Sequence, residues 1–451
     1  MDIKSIRTGI DKIRDYAERN GLEAAAFRIL EGAKEWAVDR DYSIEAGMTA
    51  YDRLTPEDKR SVYLSLIIPV YRPDMDDFAH LLDSVIRQTY RYFEVVIADG
   101  SENSDIENVV KAYDEDPDID IKIRYIRLEK NLGISGNTNE ALRSAEGEYV
   151  VFLDHDDFIE PDALSESVKA IEKGAFIVYT DEDKYDGLRD RFVCPNRKPG
   201  FDLDLLLSNN YICHMLTVKK SLVEESGNLR SGYDGAQDHD LLLRLSELVP
   251  GDKWAHVPKI LYHWRMTDSS TSLNPGSKSY AYENGKKAVE DYLKRRGINA
   301  LVTESEHRGF FRIDYSPAEV EGKDVCIFAD RRLTALTPQY ERIFRGYFTR
   351  EEVGIVGAAI IGKWGRTVCN GYKKTPDGRK EPEYGKIDHR FSGYMHRAHM
   401  IRETEAVSLH AFAIRRELLP LVSRDVFTMC DNVRKKGFSV ITDPNIVFRL
   451  K

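Results

Sequence analysis

The residues best suited to chemistry are carboxylates gathered where apolar runs end. Asp154, Asp156 and Asp157 crowd into LDHDDFIEPD (153–162), directly after the apolar run of residues 149–152. Carboxylates so close repel one another, and burying them unpaired is expensive. A divalent cation removes both objections. Hard oxygen donors suit Mg2+ or Mn2+, and Mg2+ keeps several waters and takes substrate phosphates beside one or two carboxylates. The competing reading is a solvated turn, with Asp157 or Glu160 near the positive end of the next helix. A second acidic pair, Asp238 and Asp240 in QDHDLLLRL (237–245), opens a helix whose apolar face is Leu241, Leu242 and Leu245. Such residues either cap the helix or supply a general base. Asp99 closes a buried run before Gly100, where a carboxylate accepts from an N–H of a bound base or forms an Asx-turn. Gly133 and Gly136 in NLGISGNTNEAL (131–142) allow close backbone approach ahead of a helix with free N–H groups, or mark only a loop. In YHWRMTDSSTS (262–272), His263 offers a metal ligand or phosphate donor and Arg265 a bidentate phosphate partner; the alternative is a buried His–Trp pair at a strand end. Asp181, Glu182 and Asp183 form a further acidic patch, either an acceptor-site feature or a solvated turn.

These clusters need a scaffold, and the patterning describes one. YLSLIIPVY (63–71), FEVVIADGS (93–101), IKIRYIRL (121–128) and EYVVFLDHDD (148–157) read as buried strands separated by helical stretches such as HLLDSVIRQTY (80–90). Strand–helix alternation predicts an α/β fold with a mostly parallel sheet, helices on both faces and right-handed crossovers. Ligands in such sheets bind outside the carboxyl ends of the strands, where the polar clusters lie. Residues 1–60 read as helical: Ile6, Ile10, Ile13 and Tyr16 form one stripe, and Leu22, Ala26, Ile29, Leu30 and Trp36 another, predicting a helical hairpin packed on the main domain, with a partner-binding helix as the alternative. GEYVVFLDHDDFIEPDAL (147–164) has an echo in GKDVCIFADRRLTALTPQY (322–340), with Arg331 and Arg332 where the first has Asp156 and Asp157. The expected domains are 1–60, 61–305 and a smaller α/β unit at 306–451.

Composition sets the outer limits. A hydrophobic share of 42% is too high for a disordered chain, and a net charge of −10 argues against a general nucleic-acid binder. No apolar run is long enough to span a bilayer, and the start has no signal-peptide pattern. Cys194, Cys213, Cys326, Cys369 and Cys430 are scattered, which favours reduced thiols and a cytoplasmic address, with the inner face of a membrane left open. KRRG (294–297) reads as an exposed helix end or a contact for anionic lipid, and His396, His399 and His410 as surface or core histidines.

Taken in order, SLIIPVYRPD (65–74), VVIADGSENSD (95–105), NLGISGNTNEAL (131–142), YVVFLDHDDFIEPDAL (149–164), GAQDHDLLLRL (235–245) and LYHWRMTDSSTS (261–272) resemble a family 2 glycosyltransferase of the GT-A fold. The likeness is to the rhamnosyltransferase-like bacterial enzymes of O-antigen and capsule synthesis, and it covers about residues 61–300. It implies that Pro69, Val70 and Tyr71 line the base of a nucleotide-diphosphate sugar and that Asp99 accepts from that base. Asn131, Gly133, Asn139 and Arg265 would belong to the donor site. Asp156 would be the principal ligand of Mn2+ or Mg2+, Asp154 would hold the donor's ribose or sugar or reach the metal through water, and His263 would be a further metal residue. Asp238 matches the family's base, with Asp240 as fallback. Ala98, Thr138 and Thr267 depart from the pattern, replacing a second acid, an arginine and a histidine of many relatives. The implied reaction is inverting sugar transfer to a saccharide acceptor, lipid-linked by analogy. The C-terminal unit resembles the rear half of a second such domain without its metal motif, and is expected not to catalyse. A nucleotidyltransferase, or a sugar-binding scaffold of the same shape, is the rival. No nucleic-acid partner is expected; homo-oligomerisation and peripheral membrane association are both compatible with the sequence.

Overall fold

The computed structural model describes residues 3–46, 60–117, 119–266, 279–317 and 325–451. Two helices, α1 (Ile3–Asn20) and α2 (Leu22–Ala46), come first. Then follow β1 (Leu64–Val70), α3 (Met75–Ile86), β2 (Phe93–Asp99), α4 (Asp105–Asp114), β3 (Lys122–Arg127), α5 (Gly133–Ser144), β4 (Tyr149–Phe152), β5 (Phe158–Ile159), α6 (Ala163–Glu172), β6 (Ile177–Asp186), β7 (Arg191–Asn196), α7 (Leu203–Ser208), β8 (Leu216–Lys219), α8 (Lys220–Glu225), α9 (Gln237–Leu248) and β9 (Trp254–Arg265). The remainder is α10 (Ser279–Arg295), β10 (Leu301–Glu304), β11 (Phe311–Asp314), β12 (Val325–Ala329), β13 (Leu333–Ala335), α11 (Tyr340–Tyr347), β14 (Val353–Ile361), β15 (Thr367–Cys369), β16 (Tyr372–Lys374), β17 (Lys380–Pro382), β18 (Arg402–Glu403), β19 (Ala411–Arg415), α12 (Val426–Lys435) and β20 (Ser439–Leu450).

Two compact units interleave along the chain: residues 34–201 with 211–288, and residues 1–33 with 202–210 and 289–451. The division does not follow the sequential boundaries expected near 60 and 305.

The first unit is built on a sheet of order β3-β2-β1-β4-β8-β6-β9-β5, with β7 on β6. The strands β3, β2, β1 and β4 run parallel, as expected. β1 and β2 are buried along their whole length, which explains their unbroken apolar runs. Beyond β4 the sheet turns mixed: β8 is antiparallel to β4 and β6, while β6 and β9 are parallel. This reversal matters. An antiparallel β8 brings the segment before it to the same edge as the carboxyl ends of β1, β2 and β4. Helix α3 shows why the helices form where they do. Asp74 caps it by accepting from Asp76 N and Asp77 N, and Phe78, Leu81, Leu82 and Val85 bury one face.

The second unit holds a sheet of order β12-β19-β14-β20-β13, with β15 and β18 at its margins. Its core includes Ile355, Phe412, Ile414, Met429, Val433 and Val440. Helix α7 belongs here although it comes from mid-chain. Asp202 caps it by accepting from Leu205 N and also accepts from Glu403 N, and Asp204 makes a buried ion pair with Arg350 at 2.5 Å. The N-terminal helices divide between the two units, residues 1–33 falling here and α2 from residue 34 onward in the first. Ile10, Leu22, Ile29 and Leu30 are exposed, so the apolar stripes are not the buried face. Instead Glu31 accepts from Ser392 Oγ at 2.9 Å, and Phe27 meets Phe391 edge-on at 5.3 Å, within this unit. Among the described residues no helix is long and apolar enough to cross a membrane, and the five cysteines form no disulfide.

Candidate active site

A cleft in the first unit is lined by Pro69 from β1, Thr138 from α5, Leu153 and Asp154 after β4, Cys213 and His214 before β8, and Asp238 at the start of α9. Chain direction explains the meeting. Asp154 leaves the sheet where a parallel strand ends, and His214 sits where an antiparallel neighbour begins; Phe152 and Leu216 are register partners.

Donor atoms of Asp154, Asp157 and His214 all lie within 4.8 Å of one another. His214 Nε2 is 3.9 Å from Asp154 Oδ2, and its ring stacks on Tyr262 at 4.7 Å. Asp157 is buried. It accepts from Tyr262 Oη at 2.5 Å and from Arg265 N at 2.8 Å. Burial, with Asp156 and Asp154 beside it, pushes the Asp157 carboxyl well above the usual range. Burial also raises Asp156, with Asp154 adding to it. Two carboxylates, which repel each other without a counter-charge, and an imidazole fit a Mn2+ or Mg2+ ion.

This cluster differs from the expected ligand set in two places. Asp156, expected as the principal ligand, is outside it, because the turn sends Asp157 toward β9 and His214. His263, expected as a metal residue, is committed elsewhere. Its Nδ1 is 2.6 Å from Asp183 and its Nε2 3.0 Å from Glu160, so both ring nitrogens are bonded to carboxylates. Burial alone would lower its pKa, but the two acids raise it to about 9.

Arg265 is likewise spent on the protein. Its Nε donates to Asp156 O at 2.8 Å and lies 3.0 Å from Asp77, and its guanidinium meets His80 Nδ1 at 2.6 Å. It anchors the acidic turn rather than reaching outward for phosphate. The rest of its loop, residues 267–272 with Thr267, lies outside the described residues.

The other expected donor residues divide. Pro69 lines the cleft; Tyr71 instead approaches Glu102 at 3.5 Å. Asp99 is buried and takes the Asx role, accepting from Ser101 N at 2.8 Å and from Tyr125 Oη at 2.8 Å. Asn131 accepts from Gly133 N at 3.0 Å and from Asn137 at 3.1 Å. Gly133 has φ +78°, and a Cβ there would meet Asp234 at 2.6 Å, so only glycine fits. Asn139 does not face the cleft as a free amide. It donates to Leu229 O at 2.8 Å and accepts from Leu229 N at 3.1 Å, fixing a cleft-lining residue instead.

The two helix-opening acids also separate. Asp238 lines the cleft, with Cys213 Sγ 3.7 Å from its Oδ2. Asp240 is buried and paired with Arg230 and Arg244, the latter at 2.8 Å. The acidic patch Asp181–Asp183 is neither a solvated turn nor an open site. It lies inside β6, where Asp181 meets His256 at 2.7 Å, Glu182 meets Lys198 at 3.2 Å and Asp183 accepts from Tyr42 at 2.5 Å.

Sequence reasoning missed His214, Lys198 and Tyr262. Lys198 is fully buried, donates to Ile212 O at 2.5 Å and to His214 O, and pairs with Glu182, which accepts from His214 N at 3.1 Å. That clamp sets the position of His214. The only sequence signal was a polar Cys–His pair inside the apolar run of residues 211–218.

Residues 65–226 match the family model described as Glycosyl transferase family 2. Over 238 residues the chain is 38% identical to an uncharacterized protein, y4gI, of Sinorhizobium fredii, covering 51% of this chain and 25% of that one. Over 270 residues it is 30% identical to the O-antigen biosynthesis protein RfbC of Myxococcus xanthus, covering 59% of this chain and 20% of that one. The chain thus spans a quarter or less of the length of these curated relatives. Among solved structures it is similar to TarS of S. aureus in complex with UDP, with a TM-score of 0.40 and 20% identity over 51% of this chain and 65% of that one. The strands β2 to β8, β1 from residue 65 onward, and the acidic turn after β4 therefore lie within the stretch that matches the Glycosyl transferase family 2 model.

Proposed function

We propose that the chain transfers a sugar from a nucleotide-diphosphate sugar to a saccharide acceptor, with inversion, during cell-surface polysaccharide synthesis. The observation that carries this is the convergence of Asp154, Asp157 and His214 in the same cleft as Asp238. Asp154, Asp157 and His214 would hold Mn2+ or Mg2+, which when bound supplies charge neutralisation for the departing nucleoside diphosphate. Pro69 and Thr138 supply cleft wall for the donor. Asp238 is a carboxylate on the same cleft. As the acceptor hydroxyl attacks the anomeric carbon, Asp238 takes its proton, the bond to the diphosphate breaks, and one displacement inverts the centre. Asp154 and Asp157 serve the donor side and supply no nucleophile. A lipid-linked acceptor, a cytoplasmic address and contact with the inner membrane face complete the proposal; the O-antigen biosynthesis relative supports its polysaccharide setting.

Donor hydrolysis and transfer with Mn2+, scored over a nucleotide-sugar panel, test it. Asp238→Asn is expected to bind donor as the parent does and to lose transfer by about 10²-fold or more. Asp154→Ala is expected to lose Mn2+-dependent donor binding. Full transfer by the Asp238 variant would remove the base from this reading.

A further inference from the structure

The C-terminal sheet repeats the rear half of the first sheet strand for strand. In the first, β4-β8-β6-β9-β5 has β8 antiparallel to both neighbours, β6 parallel to β9, β5 antiparallel to β9, and β7 hanging on β6. In the second, β12-β19-β14-β20-β13 has the same senses: β19 is antiparallel to both neighbours, β14 parallel to β20, β13 antiparallel to β20, and β15 hangs on β14. Helices fall alike, with α6 and α11 after the short strand and α9 and α12 before the last long one.

The match brings particular residues into correspondence. The acidic turn after β4 becomes Asp330–Arg332 after β12, and His214, just before β8, becomes His410, just before β19. The acid–histidine pair survives: His410 Nδ1 lies 3.5 Å from Asp330 Oδ2, as His214 Nε2 lies 3.9 Å from Asp154 Oδ2. The third member differs. Asp157 completes the first cluster and directly precedes β5; Arg332 directly precedes β13, after a turn of three residues (330–332) where the first has five (153–157), so it takes the place of Asp157. Arg332 folds back onto Asp330, with Nε 3.1 Å from both carboxylate oxygens and Nη2 2.6 Å from Oδ2. Its side-chain bond holds the Asp330 carboxyl well below the usual range.

We infer that Arg332 occupies, in a second copy of the site, the place a divalent cation takes in the first, so that the chain has one cation-dependent centre and not two. A guanidinium satisfies both carboxylate oxygens with a permanent charge and needs no ion. The inference rests on reading Asp154, Asp157 and His214 as cation ligands, but its test can fail separately.

Calorimetric titration of the full chain with Mn2+ is expected to give one ion, lost in Asp154→Ala. Arg331→Asp with Arg332→Asp restores the acidic pair and is expected to take up two ions. Adding His410→Ala to that variant returns it to one. The Asp330–Arg332 pair is on the surface, so melting temperatures should stay near the parent's. A double-Asp variant that gains no ion overturns the inference. So does a parent chain with a second ion that survives Asp154→Ala and vanishes with His410→Ala. A parent that binds none, beside a double-Asp variant that binds one, would refute the reading of the first site and leave the second standing.

Discussion

Lys198→Met removes one buried cation and tests how the cleft is held together. Lys198 has no exposed side chain and serves three acceptors: Glu182 at 3.2 Å, Ile212 O at 2.5 Å and His214 O. Methionine fills the space but donates nothing, leaving Glu182 charged and two buried carbonyls without their bond. Breaking a buried pair from one side costs about 3–5 kcal/mol. For a unit of this size that corresponds to a melting temperature lower by roughly 6–20 °C, and the unit should still fold. The functional effect is more local. His214 loses the contact on its carbonyl while Glu182 keeps the one on its amide. A ligand whose outer support is removed typically binds its metal about 10–100-fold more weakly. Calorimetric Mn2+ titration well below the melting temperature, beside a thermal melt, reads both. Lys198→Met with Glu182→Gln should recover part of the stability, because the orphaned charge is gone. A single variant that melts and binds Mn2+ as the parent does would refute the clamp.

Two further outcomes follow from the same geometry. Asp240→Asn leaves Arg230 and Arg244 without their carboxylate, so it is expected to lower stability by about 3–5 kcal/mol; an unshifted melt with lost turnover would make Asp240 the base instead. His263, raised to about 9 between Asp183 and Glu160, contributes stability that is complete below about pH 6.5 and lost as pH rises through about 9. The loss is about 3 kcal/mol, so the parent's melting temperature should fall between pH 7 and 10 while His263→Gln stays flatter; a flat parent profile would contradict this.

Much of the site could be read along the chain because local rules govern it. Parallel strands buried on both faces must be apolar throughout, so the polar residues at their carboxyl ends stand out, as Asp154, Asp156 and Asp157 do, whereas Asp238 was read as opening a helix. The internal echo at 322–340 was visible for the same reason, as an apolar strand closed by a charged turn. What escaped were partners contributed across the sheet. Asp99 and Asn139 have residue types that suit a ligand, yet Tyr125 and Leu229 occupy them. Asp238 and Asp240 are alike in sequence, and only the packing of α9 shows which faces Arg230 and Arg244 and which faces the cleft.

The order of apolar runs and turns was therefore enough to settle the α/β class, the position of the acidic turn and the family motifs. Strand direction was not legible that way, because parallel and antiparallel neighbours bury the same side chains. The reversal at β8 is what delivers His214 and the Lys198–Glu182 clamp to the edge where Asp154 ends. That choice, made by sheet pairing between segments some sixty residues apart, separates cleft residue from strut among residues of the same chemical type.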